Sequence, residues 1–435
     1  MSATQLESTS VAHPPAGEFA GAEFAGTEVA HAEFAGAAVN GADVNGADVN
    51  GAEFAGADDA GAEVEGGPEN PLKRLTEEQI DALAREFDAI HDEVFADLGE
   101  RDARYIRGTI KLHRHLVLAA RLALLGSRRR PLWLMGTAAL SLAKILENME
   151  IGHNVMHGQW DWMNDPDINS QSWDWDTASP ADAWRHSHNF VHHTFTNIRG
   201  KDRDLGYDIM RVDPRQRWHP VYLLQPLYNL LLMAFFEWGV ALHDLDYEGM
   251  RRGEKPKEEV VAEVKAIAVK ARRQIVKDYI AFPALSGRRS FRSTLAANFT
   301  ANIIRNVWAH SIIFCGHFPD QTYTFSQREV ENETRGGWYV RQLIGSANID
   351  GGPLFHLAAG NLSFQVEHHL FPDMPSSRYA EIAPRVRDVC HRYGLPYNTG
   401  PLHRQLGTVH RTILRLAFPG GRERPKPGPY RPDPH

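Results

Sequence analysis

Three short clusters hold seven of the chain's 22 histidines: HNVMH at His153 to His157, HNFVHH at His188 to His193, and QVEHH at Gln365 to His369. No other feature narrows the fold as far. On a helix, residues four apart share a face, so His153 with His157, and His188 with His192, can each aim two imidazoles at one point. Neutral imidazole is the commonest metal ligand, and an all-nitrogen set without thiolates suits iron, zinc, copper or nickel better than magnesium or calcium. A structural zinc takes four ligands and a catalytic one three. Seven histidines in three clusters therefore imply more than one ion.

Charge divides the chain. Residues 1–72 contain 13 Asp or Glu and no Lys or Arg, whereas residues 73–435 carry 47 basic against 42 acidic residues. The overall charge of −8 thus hides a slightly basic body. No basic stripe of the kind that binds nucleic acid is present, so a nucleic-acid partner is not expected. Cys315 and Cys390 are the only cysteines, too few for a disulfide scaffold or a cysteine-ligated iron–sulfur cluster. The start lacks a charged segment followed by an apolar one, which argues against a cleaved secretory signal.

The acidic segment is repetitive. From Gly17 to Gly66 it runs in ten pentads of the type A-E-F-A-G or A-D-V-N-G, with an apolar residue at nine of the ten central positions and Asp59 at the other. These pentads resemble the pentapeptide-repeat family, which implies a short right-handed β-solenoid with the central side chain inside. The same Ala/Gly/Asp/Glu composition is that of a low-complexity acidic tail, and Asp59 would bury an unpaired carboxylate. Both readings stay open.

Residues 74–99 predict an amphipathic helix with an acidic start at Thr76 to Glu78 and an apolar stripe of Ile80, Leu83, Phe87, Ile90 and Phe95. Three later stretches, 131–143, 219–242 and 295–316, are strongly apolar but carry breaks such as Gln225, Asn229, Glu237, Asn302 and Arg305. Taken alone they fit either bilayer spans or buried core helices. After Pro256 a charged helix is expected up to about 280. Its basic residues would be cytoplasmic, which conflicts with single crossings by both flanking stretches.

The boxes with their flanks, EIGHNVMHGQW, HSHNFVHHTFTN and GNLSFQVEHHLFP, resemble the HxxxH, HxxxHH and QxxHH motifs of membrane fatty acid desaturases, over roughly residues 130–400. Within that family the likeness is to bacterial acyl-CoA desaturases, including linoleoyl-CoA-desaturase-like enzymes. The resemblance implies an all-α integral membrane protein in the cell membrane. Its multi-pass transmembrane helices would be capped by a cytoplasmic helical domain that holds two non-haem irons. The expected divisions are a repeat tail at 1–72, N-terminal helices at 73–126, the desaturase domain at 127–400 and a C-terminal tail at 401–435.

By that resemblance the iron ligands are His153, His157, His188, His192, His193, His368 and His369, with Gln365 where relatives carry another histidine. The family's centre uses eight or nine ligands, so a further one is expected between 300 and 365. His317 is the first candidate, ahead of His310, Asn348 and His356. His186, two residues before His188, should point away. Glu150, Glu367, Asp202 and Asp204 could hold ligating rings, and Trp160, Trp162, Trp173 and Trp175 could line an acyl channel. No catalytic side chain beyond the ligands is expected.

Taking hydrogen from an unactivated C–H bond needs an oxidant that no side chain supplies, so a metal must activate O2. The reading is an O2-dependent fatty acyl desaturase, acting on acyl-CoA and making a cis double bond. Its partners would be membrane lipid and an external reductase with ferredoxin or cytochrome, because no haem-binding or dinucleotide-binding motif is present. The alternatives are a hydroxylase, epoxygenase or ketolase on the same scaffold, and a non-enzymatic membrane metal-binding protein.

Overall fold

The computed structural model describes residues 70–245, 250, 253, 255–421 and 423–432. Thr76 caps the first helix, α1 (Glu77–Ala96): its hydroxyl accepts from the Gln79 amide while the Gln79 side chain accepts from the Thr76 amide. Two donors that a helix start leaves without partners are thereby satisfied. The buried stripe of α1 is Leu83, Phe87, Ile90 and Val94, with Ile80 and Phe95 half-buried at its edges. α2 (Glu100–Leu125) and α3 (Arg130–Ile145) follow, joined by a short turn and packed along each other.

From Ile145 the chain stays helical but widens. Residues Leu146–His153 and Arg185–His192 are π-helical; the first runs into the first histidine cluster at His153, and the second contains His188 and His192 and ends just before His193. A π turn closes on the fifth residue rather than the fourth, so positions four and five apart both fall on one side. His188, His192 and His193 can therefore face one point together.

α4 (Gln225–Ala234) and α5 (Phe236–His243) meet at Phe235, which leaves helical geometry (φ −118°, ψ 36°). α6 (Lys257–Ile275) starts directly after Pro256. α7 (Phe291–His317) is the longest helix described and ends on His317. α8 (Arg335–Gly345), strand β1 (Asn348–Asp350), α9 (Gln365–Leu370), α10 (Tyr379–Arg392), strand β2 (Thr399–Pro401) and α11 (Leu402–Leu416) complete the order. β1 and β2 pair in parallel with Asn348 opposite Thr399. One apolar core gathers α1, α8, α9 and α10 around Phe87, Tyr339, Leu343, Val366 and Phe371, and a second gathers around Phe314 of α7.

One sequence expectation needs correction. The multi-pass architecture of transmembrane helices and the place in the cell membrane inferred from it are overturned: no single helix among the described residues is long and apolar enough to cross a bilayer. Only Pro220–Ala234 with Phe236–His243 reaches that length and composition, and these two pieces bend by 104°. The physical reasons are local. α3 with its π-helical continuation buries Lys144, Glu147 and Glu150, and α7 buries Asn298, Asn302, Arg305, Asn306 and His310 along its length. Arg305 is held by Glu237 of α5 at 2.7 Å inside the protein, so these polar positions serve packing between helices. The pentad repeat of residues 17–66 lies outside the described residues, and the only sheet among the described residues is β1–β2.

A buried ion pair ties α2 to the turn before α10. Arg378 grips Asp102 with two bonds of 2.6 and 2.7 Å, and both residues are almost wholly enclosed. Arg378→Met should lower unfolding free energy by about 3–5 kcal/mol, since it strands the Asp102 carboxylate without its counterion. Replacing both residues by apolar ones should recover most of that loss. Urea unfolding of the three variants is the check, and a single variant within 1 kcal/mol of the parent would refute the role.

Candidate metal centre

The two π-helical segments, the end of α7 and α9 bring the histidines together. Ring nitrogens of His153, His157, His188 and His368 lie within 4.8 Å of one another, and so do those of His192, His317 and His369. Two nitrogen ligands of one ion sit about 4.2 Å apart at most. Each group therefore needs only small rotamer adjustments to close on an ion. His193 lies between them, its ring 4.8 Å from His157, 4.9 Å from His368 and 4.5 Å from His369. Gln365 places its amide nitrogen 3.0 Å from His317 Nε2. Gly316 makes that approach possible, since a Cβ there would come within 2.8 Å of the glutamine side chain.

The outward nitrogens of five rings are occupied. His188 Nδ1 bonds Asp204 at 3.1 Å, His192 Nδ1 bonds both oxygens of Asp202 at 3.0 and 3.1 Å, and His153 Nδ1 meets Asn154 Oδ1 at 3.0 Å. On α9, His368 Nδ1 bonds the Tyr379 hydroxyl at 3.1 Å and His369 Nδ1 bonds Gln342 Oε1 at 3.0 Å. Bonds of this kind fix which nitrogen faces a metal and how the ring is turned. The inward nitrogens tell the complementary story. Nε2 of His157, His188, His192 and His368, both nitrogens of His193 and Oε1 of Gln365 are buried with no protein partner. Buried polar atoms normally find one. So many orphans facing one another are what a metal-ligating shell looks like.

Electrostatics agree. Burial, reinforced by the neighbouring imidazoles, pushes the His153 pKa down to about 3 and holds His157, His193, His317, His368 and His369 well below the ordinary histidine range. Neutral imidazole is the form that binds a metal. His192 differs: burial opposes its charge, but Asp202 and Asp204 outweigh that and raise its pKa.

The structure sorts the remaining sequence candidates. His317 joins the second group, whereas His310 bonds Asn229 at 3.1 Å and stacks on Phe314, outside the histidine groups. Asn348 donates to Glu367 and to the Tyr397 hydroxyl, and its own oxygen accepts from the Val366 amide, so it anchors α9 rather than facing a metal. His356 bonds Ser363. His186 is exposed and stacks on Phe190. Glu150 contacts no histidine ring: it accepts from Tyr105, Ser376 and Asn361. Trp160 and Trp162 pack in an apolar cluster beside the first box, while Trp175 lines the cleft that reaches the histidines.

Four supporting residues escaped the sequence reading. Asn154 sits inside the first box and its position was a usable signal. Gln342, Tyr379 and His243, which bonds Asp204 at 2.8 Å, carry no local mark at all.

Nitrogen-rich ligation with no thiolate, divided into two adjacent groups, fits two iron ions. A narrow cleft of about 50 Å³ opens beside it, with Trp184, Tyr207, Phe236, Val240, Ile313 and Leu362 among its walls together with Glu237, His243 and Asp244. Sequence comparisons point the same way. The fatty acid desaturase profile matches residues 131–401, a span containing all three boxes. The chain is 50% identical over 348 residues to an NADPH-dependent stearoyl-CoA 9-desaturase of Mycobacterium tuberculosis, covering 79% of this chain and 82% of that protein. A sn-1 linoleoyl-lipid 6-desaturase of Synechocystis is 24% identical over 278 residues, covering 62% of this chain and 76% of that protein. With the boxes converging as described, the chain belongs to the fatty acid desaturase family, as an oxidoreductase of fatty acyl chains built around a histidine-held pair of irons.

Proposed function

We propose that the protein inserts a cis double bond into a saturated acyl chain carried as a coenzyme A thioester, with electrons drawn from NADPH through a separate reductase and its ferredoxin or cytochrome. The balance is one acyl –CH2–CH2– unit, O2, two electrons and two protons giving –CH=CH– and two waters. The observation that carries this reading is the pair of inward-facing histidine groups, two adjacent sets of buried ring nitrogens that can each close on an ion. The 50% identity to an NADPH-dependent stearoyl-CoA desaturase supports the carrier and the reductant.

In this reading His153, His157, His188 and His368 hold one iron, His192, His317 and His369 hold the other with Gln365 beside it, and His193 lies between. Bound there, the irons supply the O2-dependent oxidising power that C–H cleavage requires. The protein's own part is positioning. Asp202, Asp204, Gln342 and Tyr379 fix the rings before substrate arrives, and Trp184, stacked on His188 with centroids 4.6 Å apart, walls the cleft directly against a ligand ring. The apolar walls exclude water from the reacting carbons.

Gas chromatography of acyl esters after incubating the full chain with stearoyl-CoA, NADPH and a reductase system is the test. A new monounsaturated acid is expected. A hydroxy acid without any new alkene would refute desaturation.

A further inference from the structure

In the second histidine group, two rings are held from outside: His192 by Asp202 and His369 by Gln342. His317 is not, since its Nδ1 is buried with no protein partner. The direction of that ring therefore depends on the backbone that carries it. His317 is the last residue of α7, where a helix leaves its final carbonyls without intrahelical donors. The Ala347 amide donates to the Gly316 carbonyl at 2.9 Å, and the Thr322 hydroxyl donates to the His317 carbonyl at 2.7 Å. Thr322 closes a turn, its own amide returning to the Pro319 carbonyl at 3.1 Å. That turn braces His317.

Residues that follow α11 grip the turn from its far side. Lys426 donates to the Thr322 carbonyl, reaches the Asp320 carbonyl at 3.5 Å and lies 5.3 Å from the centre of the Tyr323 ring. Its side chain is almost wholly enclosed, with Glu423 at 3.4 Å as counterion. The same stretch has a second hold. The Tyr430 amide donates to the Leu395 carbonyl at 2.8 Å, and its ring packs on Tyr397 with centroids 5.7 Å apart. Tyr397 in turn donates to Glu367 at 2.7 Å and accepts from Asn348, the bonds that anchor α9, the helix of His368 and His369. Between α11 and Lys426 the path is pinned by the buried Arg211, whose Nη1 donates to the carbonyls of Gly420 at 2.9 Å and Phe418 at 3.3 Å. All of these residues after α11 lie beyond the 131–401 span that the desaturase profile matches.

We propose that the segment after α11 is a strap that completes the second metal site, with Lys426 as a positioning residue for His317. The proposal rests on the assignment of His192, His317 and His369 to one iron. The line of contact is short: Lys426 holds Thr322, Thr322 holds the His317 carbonyl, and His317 Nε2 faces His192 and His369. Of the first group only His368 shares an element with the strap's contacts, through α9 and Tyr430, so the Lys426 end acts on one ion. Removing a group that orients a ligand costs roughly 10- to 100-fold in metal affinity. Lys426 stands one contact further out, and the low end of that range is expected.

Release of iron from the loaded full chain to a chelator, counted per chain against time, tests the proposal. In Lys426→Met one iron should leave about tenfold faster than in the parent and the other at the parent's rate. Lys426→Arg keeps donors for both carbonyls and should restore the parent's behaviour. Thr322→Val removes only the hydroxyl bond to the His317 carbonyl and should speed the same single iron, which supplies the reading if Lys426→Met does not fold. In a His192→Ala background, where the second iron is already lost, Lys426→Met should add nothing to the release of the remaining one. A strap that only stabilised the fold would speed both irons alike and act as strongly in His192→Ala as in the parent. That outcome, or release from both single variants at the parent's rate, would overturn the proposal. None of these measurements needs turnover, so a chain that forms a different product from stearoyl-CoA sinks the desaturase reading and leaves the strap standing. A His192→Ala chain that keeps both irons would instead dissolve the second ligand group and the proposal with it.

Discussion

Replacing His192 by alanine should remove one iron from the centre and cut desaturation by more than a hundredfold, while His403→Ala should change neither. His192 is buried, its Nδ1 is clamped by Asp202, and its Nε2 faces His317 and His369 with no other partner. His403 is exposed at the start of α11. Losing a ligating imidazole removes a metal bond outright, whereas losing one of its holders costs roughly 10- to 100-fold in affinity or activity. Asp202→Asn should accordingly fall between the two, with iron retained but bound more weakly. Iron per chain by atomic absorption, alongside turnover, distinguishes them. A His192→Ala protein that keeps two irons and full turnover would remove this residue from the ligand set.

The second large effect is acid lability of the iron-free protein. His153, His157, His188, His193, His317, His368 and His369 all have folded pKa values below the ordinary one, first because they are buried and then because neighbouring imidazoles repel a second charge. The sign follows from proton counting. Below about pH 6.5 the unfolded chain takes up protons that the folded chain refuses, so stability falls as pH falls. Each fully displaced histidine contributes about 1.4 kcal/mol per pH unit. Glu147 and Glu150, pushed up to about 7 by burial, Asp244, pushed up to about 6 by burial, and Glu367, raised by burial, act in the opposite direction, whereas the raised His192 and His243 carry a proton in both states below about pH 6.5 and add nothing there. Seven histidines against these four carboxylates leave a surplus of three, about 4 kcal/mol per pH unit, a large share of the roughly 5–15 kcal/mol that stabilises a typical domain. Melting of iron-stripped protein should drop steeply between pH 6.5 and 5, and bound iron should move that drop to lower pH. A midpoint independent of pH over that interval would contradict the burial of neutral histidines.

How much of this was legible in the sequence differs by element. α1 was legible because its stripe of Leu83, Phe87 and Ile90 and its Thr76 start are local signals. The break at Phe235 was not, because 219–242 reads as one apolar run and only packing makes the chain turn there. The same limit applies to the apolar stretches in general. Hydrophobicity along the chain does not say whether a helix is covered by protein, and the polar face of α7 is explained only once Glu237 is seen holding Arg305.

For the site, the sequence by itself determined the chemistry: seven histidines at ligand spacing, no thiolate, more than one ion, and a motif order found in fatty acid desaturases. Those are properties of residue type and short-range spacing, which helical geometry converts directly into a shared face. Only the tertiary structure decided how the set is divided. It carried His317 from the end of α7 to His192 and His369, and turned the boxes through π-helical segments so that positions four and five apart converge. It also supplied Gln342 and Tyr379 as holders of rings on a different helix, and laid Lys426 against the turn that braces His317. Each of these joins residues far apart in the chain, and nothing in the sequence around either partner records the contact, because the contact exists only after the helices have packed.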